Sequence, residues 1–290
     1  MPSLLISLQS NIPAEMSLYS WCTSPYSDDI HRFYKSKEEH MPRIKFQSPQ
    51  AESRADLIDW MRTVAEKYGF SKLTVHLAVF ILDQFMDTHS IASQKLGMVG
   101  MVCLLIASKC EDEVDRTPRI SSMISLLPEE DRDVITALQV VHVEKFILYS
   151  LNWRLGWPTT ASFAEYYSLF AVVNGDKDSK NTPHRSLKMA VQSSYDTFLD
   201  KTLMCVDLVN AAPSNRAAAC LLAARIHNSV SPPWPEYLCT ITWYSYERLS
   251  SIAHFLLSLD TYDFESGYSS SSPEAHSVRE SLEQDSGSTP

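Results

Sequence analysis

Glycine is scarce in this chain, with seven residues in 290 and two of those, Gly267 and Gly287, in the last thirty. Turn-rich β sandwiches and doubly wound nucleotide-binding sheets need more glycine than that, so both are poor fits. Neither GxGxxG nor GxxxxGK[ST] occurs, and Gly97 and Gly100 form only a GxxG inside an apolar run. Basic blocks are missing as well. With a net charge of −10 and no Lys/Arg-rich stretch, the chain repels a phosphate backbone on average. Its six cysteines (Cys22, Cys103, Cys110, Cys205, Cys220, Cys239) include no CxxC, and its nine histidines no HExxH. Scattered thiols of this kind read as small buried hydrophobes in a reducing compartment, with neither a disulfide frame nor a zinc site. The longest apolar run, residues 96–107, is too short to cross a bilayer. No basic residue precedes Leu4, Leu5 and Ile6, so a signal peptide is not expected. These absences leave a soluble intracellular protein, with no cofactor, metal, membrane, nucleic acid or small-molecule substrate expected.

What is present is helical. Proline is absent between Pro49 and Pro118, and further proline-free runs follow Pro128, Pro158, Pro183, Pro213 and Pro235. Helices need such runs, because an interior proline costs ~3 kcal/mol and a glycine ~1 kcal/mol. Leu57, Trp60 or Met61, Val64 and Tyr68 recur at three or four, and Gly69 supplies a stop. Ser71 is placed to cap a second helix and Ser93 a third, which is apolar on every face and therefore surrounded by others. A short helix near 120–127 and a long one over 132–151 complete five. The second half offers segments near 160–172, 184–204, 214–229, 235–242 and 244–259. A further amphipathic stretch, residues 28–39, lies in an otherwise irregular N-terminal extension. The fold expected is all-α, with two tandem five-helix domains at 50–156 and 157–260 after an extension at 1–49. Residues 261–290, with nine serines and six acidic side chains, are expected to form a disordered acidic tail.

Several short stretches, in order, resemble the cyclin box. They are residues 54–60 (RADLIDW), 76–79 (HLAV), 82–85 (LDQF), 107–109 (ASK), Glu144, and Pro158-Thr159 at the start of a second box. The resemblance covers roughly residues 50–260 and implies two cyclin boxes. It implies a non-catalytic regulatory subunit whose partner is the catalytic subunit of a cyclin-dependent kinase. Of five signature residues of the first box, four match as Arg54, Asp83, Lys109 and Glu144, while a leucine is replaced by Met98. The family pairs the first two as an ion pair joining adjacent helices. It uses the other two to grip main chain near the mobile C-helix of the kinase, with apolar contacts carried over to Ile106, Leu148 and Leu155. Cys110 replaces a phenylalanine there, removing a wedge from the contact. The resemblance also implies a substrate-docking patch for Arg-x-Leu motifs. Leu57 and Trp60 match it, but Ser53, Asp56, Thr63 and Gly97 replace a methionine, an isoleucine, a glutamate and a glutamine. An acidic residue in an apolar pocket rejects a leucine, so this patch is expected to be degenerate.

Two other readings stand beside this one. Glu111, Asp112 and Asp115 have the DDxxD spacing with which all-α isoprenoid synthases hold magnesium, although the companion NDxxSxxxE-type motif is missing. A two-box transcription-factor-like adaptor shares the helical architecture but wants a basic surface, which the net charge opposes. In the tail, Ser272-Pro273 and Thr289-Pro290 are candidate proline-directed phosphosites.

Overall fold

A computed structural model of the chain describes residues 21–46 and 51–262. The tail with Ser272 and Thr289 therefore lies outside the described residues. Twelve α-helices are present among those described: α1 (Ser27–Glu38), α2 (Arg54–Tyr68), α3 (Lys72–Thr88), α4 (Leu96–Glu111), α5 (Ile120–Ile124), α6 (Glu129–Arg132), α7 (Ala137–Ser150), α8 (Thr160–Ser168), α9 (His184–Met204), α10 (Pro213–His227), α11 (Glu236–Thr242) and α12 (Tyr246–Tyr262). Among the described residues they fall into two compact units, one within 41–159 and the other formed by 21–40 with 160–262. The fold is all-α. The only strands among the described residues are Lys177–Asp178 and Val230–Ser231, which pair antiparallel for two residues and have no counterpart in the sequence reading.

In the unit of residues 41–159, local signals set most boundaries. Gly69 ends α2 in the left-handed region at φ 65°, where a side chain would be strained. The Ser71 side chain accepts the Thr74 N–H and starts α3. Two expectations need correction. Ser93 does not cap α4; it opens a 3-10 turn, Ser93–Lys95, and α4 begins at Leu96 with no side-chain cap. The long helix expected over 132–151 is two pieces, because Thr136 and Gln139 form a reciprocal capping box that starts α7 at Ala137. The preceding turn closes separately as α6. The helix expected over 120–127 likewise stops at Ile124, after which Leu126 and Leu127 N–H groups bond three residues back. At the centre lies α4, buried on every face from Met98 to Ser108 and packed mainly on α3, then on α7 and α2.

The other unit is built around α10, an alanine-rich helix whose small side chains admit close neighbours in α8, α9 and α12. Helix α1 belongs to this unit. Glu38 accepts the Ser214 N–H at 2.9 Å and its hydroxyl at 2.6 Å, placing a carboxylate on the first turn of α10. Lys35 donates to the Ser214 hydroxyl (2.9 Å) and the Tyr244 hydroxyl (2.8 Å), and Tyr166 donates to Asp28 (2.9 Å). Between these polar ends, His31 is buried among Phe163, Tyr166, Tyr167 and Trp243, with Nε2 3.1 Å from the Tyr167 hydroxyl.

Burial, reinforced by the Lys35 charge and opposed by Asp28, pushes the His31 pKa down to about 4. The unfolded chain binds a proton at its ordinary pKa near 6.5, so between those values it carries more protons than the folded state. The stability that His31 contributes is complete above about pH 7 and is lost as pH falls towards 4. Lowering the pH from 7 to 5 is expected to cost about 2 kcal/mol from this residue. In urea unfolding at several pH values, His31→Phe should flatten the slope between pH 5 and 7. An unchanged slope would remove His31 as its source.

Not all cysteines are core. Cys22, Cys103 and Cys220 are buried as expected, but Cys205 and Cys239 are half-buried and Cys110 is exposed. All six are free.

Candidate functional site

Two ion pairs mark the unit formed by residues 41–159, one buried and one at the surface, and they are physically unlike. Arg54 donates from Nε to one Asp83 oxygen at 2.6 Å and from an Nη to the other at 2.9 Å. Both side chains are buried, so this fork joins the first turn of α2 to α3 in a low-dielectric setting. Lys109, in the last turn of α4, pairs with Glu144 of α7. Here Lys109 is 44% exposed and Glu144 15% exposed. Only Oε1 of the carboxylate is engaged by the lysine. An ammonium has three N–H donors and a carboxylate about four acceptor positions, so most of the capacity of this pair remains open to a second molecule.

Apolar residues flank the pair along both helices. Ile106 and Leu148 are buried, one turn before Lys109 and one turn after Glu144, and Leu155 is half-buried beyond the end of α7. Cys110 is exposed beside Lys109. Burial and the neighbouring Glu111 push its thiol up while Lys109 pulls it down, so it stays protonated. Tyr149 and Trp153, both exposed, pack edge-to-face at 5.7 Å and extend the site along α7. Asn152 and Trp153 both adopt positive φ (51° and 59°). The sequence reading missed this aromatic pair; its signal was two aromatics at i and i+4 just past an apolar helix face.

The patch on α2 is arranged differently. Leu57 is buried, Ser53 and Trp60 are half-buried, and Asp56 and Thr63 are exposed. The Trp60 indole donates to the Leu126 carbonyl at 3.2 Å, and the Thr63 hydroxyl turns back to the Asp59 carbonyl at 3.0 Å. A Cβ at Gly97 would lie 3.2 Å from a carboxylate oxygen of Asp131, so an acidic group occupies the space over that glycine. Asp131 adds a second carboxylate, besides Asp56, that the sequence reading did not place there.

The magnesium reading fails on Asp112. Its two oxygens accept the Ser71 N–H and the Thr74 hydroxyl, tying the end of α4 to the start of α3. Among the described residues no three His, Cys, Asp or Glu side chains converge as a metal site. No described helix is long and apolar enough to cross a membrane.

Comparison with known proteins identifies the helical fold that carries these two pairs. The models for the N-terminal and C-terminal cyclin domains match residues 29–156 and 158–284, and the chain belongs to the cyclin family. Within it, the chain is similar to Cyclin-J. It is 36% identical to Cyclin-J of Xenopus laevis over 79% of this chain and 60% of that protein, and 33% identical to Cyclin-J of Homo sapiens over 82% and 62%. The chain thus spans about 60% of the length of these relatives. Cyclin-A2 of Gallus gallus is 29% identical over 77% of the chain. The crystal structure of a viral cyclin from herpesvirus saimiri superposes with a TM-score of 0.58, covering 88% of this chain and 97% of its own at 20% identity.

Proposed function

We propose that the chain is a non-catalytic regulatory subunit that binds and activates a cyclin-dependent protein kinase. The observation that carries this reading is the Lys109–Glu144 pair, flanked along its helices by Ile106 and Leu148 and followed by Leu155, with its hydrogen-bonding capacity largely unspent. Such a clasp suits exposed main-chain groups at the mobile C-helix of a kinase. Holding that helix inward favours the state in which the β3 lysine and the C-helix glutamate of the kinase pair, and it repositions the activation loop. The chain supplies no reacting group. It acts by binding one of two kinase conformations more tightly than the other. Affinity capture from cells followed by quantitative mass spectrometry tests the reading. A cyclin-dependent kinase should co-purify in near-stoichiometric amount, and recovery of none would overturn it.

Substrate choice, in this proposal, does not run through Arg-x-Leu docking. Asp56 sets a charge where the motif's leucine needs an apolar wall, Thr63 lacks the carboxylate that receives the arginine, and Trp60 is already tied to Leu126. An Arg-x-Leu peptide is expected to bind no tighter than about millimolar, or roughly −4 kcal/mol. The double variant Asp56→Ile, Thr63→Glu should bind it measurably more tightly. Calorimetry that found micromolar binding to the unaltered chain would contradict the expectation.

A further inference from the structure

Between α4 and α5 the chain crosses a largely exposed loop fixed at both ends, in which Thr117 and Pro118 are half-buried. Asp112 ties its start to α3, and Met123, fully buried in α5, anchors its end. Val114, 88% exposed, lies in the loop, and Glu113, Asp115, Arg116 and Arg119 are exposed around it. Within the loop stands Arg116-Thr117-Pro118-Arg119. The Thr117 backbone is extended (φ −68°, ψ 116°), as is that of Arg119 (φ −67°, ψ 144°). The Thr117 hydroxyl makes no hydrogen bond, and neither flanking guanidinium has an ionic partner, among the described residues.

We propose that Thr117 is a phosphoacceptor for a proline-directed Ser/Thr kinase, with Arg116 and Arg119 as the intramolecular receptors of the phosphate. The described chain offers an internal comparison. Ser24, Thr182 and Ser231 also precede proline. The Ser24 oxygen is occupied by the Tyr26 N–H in a turn. The Thr182 hydroxyl and N–H are both held by Asp178. Ser231 is paired in the two-residue ladder, and the carbonyls of Pro232 and Pro233 that follow are held by Arg225. A kinase must lay its acceptor out in an open groove, and of these four only Thr117 combines an unengaged hydroxyl with extended backbone outside a strand ladder, its N–H closing the preceding turn on the Val114 carbonyl at 3.2 Å.

The chemistry is phosphoryl transfer from a nucleoside triphosphate. Thr117 Oγ attacks the γ-phosphorus, the bond to the β,γ-bridging oxygen breaks, the nucleoside diphosphate leaves, and the hydroxyl proton passes to the base of the kinase. The product adds about −1.5 to −2 charge between two free guanidiniums, enough for new charge-assisted hydrogen bonds that order the loop. This assignment stands apart from the proposed partnership, since a proline-directed kinase supplied in solution serves as well as a bound one.

The test is to incubate the full chain with magnesium-ATP and a purified proline-directed kinase, then to quantify peptides carrying Thr117, Thr182 and Ser231. Thr117 is expected to be modified at least about tenfold faster than either, since their nucleophile or backbone must first be freed. Labelling of Thr117 no faster than the other two would overturn the proposal. So would undiminished labelling in Pro118→Ala, a variant expected to melt normally. Hydrogen exchange across residues 113–120 should slow on phosphorylation, and slow less in Arg119→Ala. Unchanged exchange would overturn the role of the arginines.

Discussion

Lys109→Ala and Glu144→Ala are each expected to abolish capture of the kinase while leaving the chain folded. Either truncation leaves a partner group unpaired in a desolvated contact, a loss of about 2–5 kcal/mol. At tenfold per 1.4 kcal/mol this weakens binding from about thirtyfold to several thousandfold. The intramolecular cost is modest, because Lys109 is 44% exposed and water can take over part of what the pair supplies, exposed pairs being worth about 1 kcal/mol or less. Circular dichroism and melting should therefore change little. The charge swap Lys109→Glu, Glu144→Lys separates the two roles of the pair. It keeps the internal attraction but presents reversed polarity to a partner. A swapped protein with normal melting and no kinase binding fits the clasp. Wild-type binding by the swap, or by both alanine variants, would mean that the pair is only an internal bridge.

Arg54 and Asp83 show what a sequence can say about such pairs. Their identity came from resemblance, 29 positions apart, and nothing in local spacing distinguishes them from solvated charges. The structure buries both and forks the guanidinium onto both oxygens, which makes their contribution structural. Lys109 and Glu144 are 35 residues apart and remain wet on one side, which leaves room for a second molecule.

Helix boundaries were legible where the capping group is adjacent in sequence, as with Gly69 at the end of α2 and Ser71 at the start of α3. The same logic was available at Thr136 and Gln139, where the S/T-x-x-Q box outranks an apolar run that continues through the boundary. Asp112 was legible only as a charge beside other charges. Its function as a cap for α3 depends on Ser71 and Thr74, about forty residues earlier. The docking of α1 was hidden for the same reason: Glu38 reads as the end of an amphipathic helix, and its partner Ser214 lies 176 residues away. Local periodicity reports which face of a helix is apolar. It does not report which distant helix end a carboxylate on that helix will cap.

Arg225 is the strongest case. In the sequence it is a basic residue near the end of an alanine-rich helix, where a cation offsets the dipole and needs no other explanation. In the structure it is fully buried and every nitrogen is engaged. Nε donates to the Pro233 carbonyl, one Nη to the Ala171 carbonyl and Asp176, and the other to the Pro232 carbonyl and Asp176. It thereby joins α10 to the segment after α8 and to the loop before α11. Burial of Asp176 raises its pKa, but the bonds from Arg225 and the Val173 N–H outweigh this and hold the carboxyl below its usual range. Arg225→Met is expected to destabilise the protein by about 3–5 kcal/mol, because Asp176 becomes a buried charge without a counterion and three carbonyls lose their donors. That is a large part of the 5–15 kcal/mol typical of a domain, so the variant should melt many degrees lower and express poorly. Much of the loss is the orphaned carboxylate, which a second substitution can remove. Arg225→Met, Asp176→Leu should accordingly be more stable than Arg225→Met alone, measured by urea or thermal unfolding of the full chain. A double variant no more stable than the single one would show that the carbonyl donors, and not the ion pair, are what Arg225 supplies.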